Sequence, residues 1–259
     1  MAEPDYVANN RVAWTVANAE YTDAAAREAW GRDIGWGMWH IPERELRALP
    51  EVAGKDIVEL GCGTAYFGAW LKRAGARRVV GVDVTPAQLD TARRMDGEFG
   101  LGLELIEANA EDVPLPDESF DLVFSEYGAS IWCDPKLWVA EAARLLRPGG
   151  ELLFMRGTTL RMLCVPDEGP AGDRLLLPQR GLYRVDWQEG ESAGSEFHAP
   201  TGEMFAILRE NGFELLDLRE LYPPDDAVSH EFYSEPSAEW AKQWPAEEIW
   251  RARLRPRSS

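Results

Sequence analysis

Histidine and cysteine are scarce in this 259-residue chain, with three of each. Cys62, Cys133 and Cys164 are odd in number and lack paired spacing, and His40, His198 and His230 are equally scattered. That excludes a disulfide framework, leaves no expected metal site, and makes a reducing cytoplasm the natural setting. Basic residues are few as well: 27 Lys plus Arg face 45 Asp plus Glu, a net charge of −18. A surface this acidic repels phosphate backbones and anionic lipid, since binding either depends on clustered cations. Nucleic acid and membranes are therefore not expected partners. No apolar run approaches the roughly 20 residues of a membrane helix, and the opening MAEPDYVANNR has neither the basic patch nor the apolar stretch of a secretory signal.

What is present reads as a folded α/β chain. Hydrophobic residues make up 45% and charged ones 28%, which excludes wholesale disorder. Asp56–Leu60, Arg78–Asp83, Leu103–Glu107, Phe120–Ser125 and Glu151–Arg156 are short apolar or β-branched runs separated by helical patterns. Thr85-Pro86-Ala87-Gln88 has the form of a capping box, Asp134-Pro135 opens another helix, and Pro148-Gly149-Gly150 stops it. Such alternation predicts βαβ units and a doubly wound, mostly parallel sheet with helices on both faces. Ligands of such sheets bind at the carboxyl ends of the strands. Residues 59–66, 83–85, 109–112 and 125–128 all fall at those ends, so four segments converge on one rim.

At that rim Gly61 and Gly63 lack Cβ atoms, which lets the chain turn tightly and a ligand approach the backbone. Asp83 closes the next strand, where an acid can accept hydrogen bonds from both ribose hydroxyls. A nicotinamide dehydrogenase would want a third glycine where Tyr66 stands. Glu59, two residues before the first glycine, is awkward for a diphosphate and suits an ammonium or sulfonium ligand.

VELGCGTA, VGVD, ANAEDVPLPDESFDLVFSE and RLLRPGG, in that order, resemble the class I S-adenosylmethionine-dependent methyltransferases of the small-molecule, type 11-like branch. The resemblance covers residues 52–157, with a weaker echo in TGEMFAILRENGFELLDL (201–218). It implies a Rossmann-like seven-stranded sheet and S-adenosylmethionine as cofactor. It also implies that Glu59 and the Gly61-Cys62-Gly63 turn hold the methionine part, and that Asp83 takes the ribose. Val84 would pack on the adenine, Asn109, Ala110 and Glu111 would line its edge, and Ser125 and Glu126 would lie under the sulfonium. Two positions depart from the family pattern: Ala65 replaces a usual glycine, and Asn109 a common acid. Cys62 also reads as a small packing residue, and Asp112, Asp117 and Glu118 as a solvated loop face.

The expected organisation is an N-terminal helical lid (1–54), a core over 55–220 with an inserted hairpin region at 158–200, and a C-terminal helical extension (221–259). Tyr21 and Trp36 are the lid residues expected to contact the cofactor, although aromatics at this density also suit plain packing. Glu126, Tyr127 and His198 are the candidate general bases for a small apolar or aromatic acceptor. His40 and His230, in the terminal segments, are weaker candidates. The expected assembly is a monomer or homodimer. A non-catalytic cofactor-binding partner subunit is the alternative function, and a nicotinamide dehydrogenase a more distant one.

Overall fold

The structure is a computed structural model, and it describes residues 4–166, 169–187, 194–229 and 236–256. His230 and residues 188–193, the tip of the expected hairpin, lie outside the described residues.

The N-terminal segment folds as helices α1 (Asp5–Glu20) and α2 (Asp23–Gly31), a pair of two-residue strands β1 (Gly35–Trp36) and β2 (Ile41–Pro42), and a short α3 (Glu43–Leu46). The core then alternates β3 (Asp56–Leu60), α4 (Tyr66–Arg73), β4 (Arg78–Asp83), α5 (Pro86–Phe99), β5 (Glu104–Glu107) and β6 (Phe120–Glu126). Next come α6 (Ala129–Trp132), α7 (Pro135–Leu145), β7 (Leu146–Gly157) and α8 (Thr159–Cys164). After the hairpin strands β8 (Arg184–Trp187) and β9 (Gly194–Phe197), the chain closes with α9 (Thr201–Glu210), β10 (Phe213–Leu221), α10 (Ala238–Ala241) and β11 (Glu247–Leu254). None of the described helices is long and apolar enough to cross a membrane.

Seven strands make one sheet in the order β10-β11-β7-β6-β3-β4-β5. The five strands from β7 to β5 run parallel, as the continuous apolar runs of β3, β4 and β6, buried on both faces, should, with the half-exposed β5 at the edge. β11 is antiparallel to both β7 and β10. One face carries a core around Trp30, Trp36, Phe67, Trp70 and Leu89, supplied by the N-terminal segment, α4 and α5. The other is built on Trp138, Val139, Met204, Ile207 and Trp250, under α7 and α9.

Three expectations need correction. The C-terminal extension is not the expected helix: among its described residues only Ala238–Ala241 is helical, and EEIWRARL is the strand β11 inside the sheet. Flanked by β7 and β10 and with both faces covered, it shows no alternation, so a buried strand and a helix look alike in sequence. Thr85 makes no side-chain cap on α5, although Pro86 does occupy the first turn. The Asp83 carboxylate takes the Thr85 N–H instead, and the Gln88 side chain turns toward Gly63. Pro148-Gly149-Gly150 lies within β7, whose first residue directly follows α7.

Candidate active site

The glycine turn is held from both sides. The Gly61 and Cys62 N–H groups both donate to the Val82 carbonyl, at 2.8 and 2.9 Å, so the exit of β3 is tied to β4. Gly61 (φ 71°) and Gly63 (φ 54°) are left-handed, where a side chain would be strained. A Cβ on Gly61 would also lie 2.5 Å from the Ala129 nitrogen. Asp83 joins the turn to the next helix: its Oδ2 accepts the Gly63 N–H at 2.8 Å and its Oδ1 the Thr85 N–H at 2.8 Å. Burial raises its carboxyl, and the backbone N–H groups of Gly63 and Thr85 oppose that.

Beneath the turn Glu59 is buried, and its Oε2 has no hydrogen-bond partner. Burial pushes its carboxyl well above the usual range, the Glu126 and Asp83 charges add to this, and the Gly68 N–H opposes it. Such a carboxylate lacks a cation. Together with a turn that admits no Cβ, it is suited to a ligand that brings a positive group.

Glu126, at the end of β6, accepts the Tyr66 hydroxyl at 2.6 Å. Its carboxyl is raised to about 7 by burial and by the Glu247 carboxylate, against the Tyr66 and Gly37 hydrogen bonds. Tyr127 follows in a left-handed conformation (φ 53°), and its hydroxyl donates to Glu247 Oε1 at 2.5 Å. The Met38 N–H donates to the same oxygen at 3.0 Å. Successive amides of the β1–β2 turn thus reach two different carboxylates, Gly37 to Glu126 and Met38 to Glu247.

At the other end of the rim Glu111 accepts the Tyr6 hydroxyl on both oxygens, each at 2.8 Å, and the Asp134 N–H at 2.7 Å. Asn109 caps it, accepting the Glu111 N–H at 3.1 Å. Val84 packs with Tyr6, Val7 and Phe197, and its carbonyl accepts from Arg11 Nε at 3.1 Å. Helix α1 therefore lies across the ends of β4 and β5.

The remaining candidates separate. Ala110 is buried, and Ser125 staples the rim, donating to the Leu60 carbonyl at 2.8 Å and accepting the Ser130 N–H at 3.2 Å. Cys62 is buried against Gly81, and burial raises its thiol well above the usual range. Tyr21 reaches Thr64 beside the glycine turn. Trp36 is sealed in the core against Phe67 and Phe124, with its indole N–H on Glu43 at 2.6 Å. His198 pairs with Glu196 at 2.7 Å on the hairpin, with no bond to Glu126 or Tyr127. His40 packs edge-on against Trp70, where burial lowers its pKa. The sequence reading placed Tyr66 on the rim without a role and missed Tyr6 and Glu247; neither of those two sits in a motif, and Glu247 lies 120 residues from its partner Tyr127.

Residues 58–154 match the family described as a methyltransferase domain. The chain is 34% identical over 143 residues to the malonyl-[acyl-carrier protein] O-methyltransferase of Serratia marcescens, covering 55% of this chain and 50% of that one. It is 27% identical to the 27-O-demethylrifamycin SV methyltransferase of Amycolatopsis mediterranei, over 83% of this chain and 75% of that protein. Among solved structures, an S-adenosylmethionine-dependent methyltransferase from Mesorhizobium loti superposes with a TM-score of 0.64 at 27% identity, covering 81% of this chain and 96% of its own. The chain spans about half the length of the first curated relatives it matches.

Proposed function

We propose that this chain is a class I S-adenosylmethionine-dependent methyltransferase, a reading that the match over residues 58–154 and the similar proteins support, and that it transfers a methyl group to a small, apolar or aromatic acceptor in the cytoplasm. The observation that carries the reading is the buried Glu59 oxygen without a partner, beside a glycine turn that Asp83 ties down.

S-adenosylmethionine, when bound, supplies an already activated methyl group on a cationic sulfur. The chain's own residues bind, orient and exclude water. Glu59 and the Gly61–Gly63 turn would hold the positively charged methionine end. Each Asp83 oxygen retains a lone pair beyond its backbone bond, so the ribose hydroxyls can be accepted without breaking the turn. Val84, Asn109 and Glu111 would frame the base, with α1 as its cover. Glu126, raised to about 7, can hold or release a proton near neutrality beside the acceptor. The rings of Tyr66 and Tyr127 beside it support an apolar or aromatic acceptor.

Calorimetric titration with S-adenosylmethionine and with NAD tests the cofactor. Transfer of a labelled methyl group to a panel of phenols, amines and carboxylic acids tests the reaction. Uptake of NAD in place of S-adenosylmethionine would refute the proposal, as would binding without turnover on the whole panel.

A further inference from the structure

Most of the described arginine side chains in this acidic protein are engaged, and those that are not are exposed but for one. Each described arginine that is buried or half-buried has a carboxylate or carbonyl partner, with one exception. Arg78 meets Glu104, Arg144 meets Glu141, Arg156 meets Glu248 and Arg251 meets Glu151. The exception is Arg161 on α8: it is half-buried, and its guanidinium makes no hydrogen bond or ion pair with any described residue. Leaving a cation partly desolvated and unpaired is costly, and a protein with 45 acidic residues had many ways to avoid it.

The position of this guanidinium is well defined. The Thr158 hydroxyl accepts the Arg161 N–H at 3.1 Å and donates to the Pro245 carbonyl at 2.7 Å, which pins the start of α8. The side chain lies over Gly157, where a Cβ would sit 3.1 Å from Nη1. Gly157 is the register partner of Glu247, so Arg161 stands at the carboxyl end of β7 beside the Tyr127–Glu247 pair.

Tyr127, Glu196 and Glu247 all feel the Arg161 charge, and none of them bonds to it. Glu247 Oε1 takes two donors, Tyr127 and Met38, while its buried Oε2 has no partner and lies out of ion-pair reach of Arg161, and burial favours its neutral form. Glu196 is held by His198 at 2.7 Å. The guanidinium is thus left without a bonded counter-ion, close enough to Tyr127 for its charge to be felt there.

We propose that Arg161 is an acceptor-binding residue, whose guanidinium clamps a carboxylate group of the methyl acceptor at the end of β7. A planar guanidinium matches a carboxylate through two parallel N–H bonds, and such charge-assisted pairs are the strong ones. The acceptor class is an aromatic or apolar carboxylic acid, the ring lying toward Tyr127 and Tyr66. This inference rests on the methyltransferase reading.

The test is calorimetric titration of the full chain, saturated with S-adenosylhomocysteine, with benzoate, its uncharged isostere benzamide, and benzylamine. Benzoate is expected to bind at least about tenfold more tightly than the other two, and Arg161→Gln to lose about that factor. Arg161→Lys, which keeps the charge without the fork, is expected to fall between them. Melting temperature and S-adenosylhomocysteine affinity should stay as in the wild type for both variants. Equal binding of benzoate and benzamide, preference for benzylamine, no binding of benzoate, or undiminished binding by Arg161→Gln would each overturn the proposal. Failure of the wild type to take up S-adenosylhomocysteine would instead count against the methyltransferase reading.

Discussion

Gly61 and Gly128 meet backbone to backbone. A Cβ on Gly128 would fall 2.6 Å from the Leu60 carbonyl oxygen and against the Gly61 carbonyl. The exits of β3 and β6 are therefore as close as two chains can be, and the glycine turn and the Glu126–Tyr127 corner form one unit.

From this contact follows the effect of Gly128→Ala. The atoms it would strike are backbone, which cannot swing aside as a side chain can, so the strands must part. A loss of about 1–3 kcal/mol is expected, as for other overpacked sites. The altered turn should also weaken S-adenosylmethionine. Thermal denaturation and cofactor titration measure the two effects, and wild-type values in both would show that the contact is looser than described.

Tyr6 and Glu111 make a second test, at the cover. Both Glu111 oxygens accept the Tyr6 hydroxyl, while the Asp134 N–H gives Glu111 a further donor. Removing only the hydroxyl in Tyr6→Phe should cost about 1 kcal/mol of local stability, the worth of one hydrogen bond. Hydrogen exchange across α1 should quicken more than exchange in β3 or β6. Unchanged protection of α1 would mean that Tyr6 does not hold it down.

Glu126 predicts a pH dependence of stability. Its carboxyl titrates at about 7 in the folded chain against an ordinary 4.5, because burial and Glu247 disfavour its charge. The groups facing it are the Tyr66 hydroxyl, the Gly37 N–H, Glu247 and Glu59. Between the two values the folded chain keeps a proton that the unfolded chain has released. The stabilising contribution is complete below about 4.5 and lost as pH rises through about 7. Glu126→Gln lacks this contribution, so its melting temperature relative to the wild type should climb from about pH 5 to about pH 8. A constant offset across that range would contradict the shifted titration.

How much of this could be read from the sequence depended on local signal. The apolar runs of β3, β4 and β6 and the glycines between Glu59 and Tyr66 carry their pattern within a few residues, so sheet and turn were legible. Glu247 was not, because its meaning comes from pairing across the sheet with Gly157 and from the Tyr127 hydroxyl. Trp36 reads in sequence as either a lid residue or plain packing, and what decides for packing, its contacts with α4 and β6, comes from distant segments. The β11 segment lies in the extension whose sequence predicts helix, and no local signal there separates helix from strand. Burial on both faces removes the alternation that marks a strand.

The same strand supplies the sharpest test of packing. Arg156 on β7 and Glu248 on β11 are cross-strand partners with only 2% and 4% of their side chains exposed, joined at 2.9 Å. The Arg156 guanidinium also lies 5.8 Å from the Trp250 ring centre, and its Nη2 has no partner. Bringing both charges out of water consumes much of their attraction, so the pair itself adds little net stability. Breaking it is another matter. Glu248→Ala strands a guanidinium in the sheet interior, at a cost of about 3–5 kcal/mol, which for a chain of this size lowers the melting temperature by on the order of 10 °C. Replacing both residues, as Arg156→Met with Glu248→Leu, removes the stranded charge and should restore stability to near the wild type or above it. If the double variant melts as low as Glu248→Ala, the loss comes from packing around Trp250 and not from the uncompensated charge.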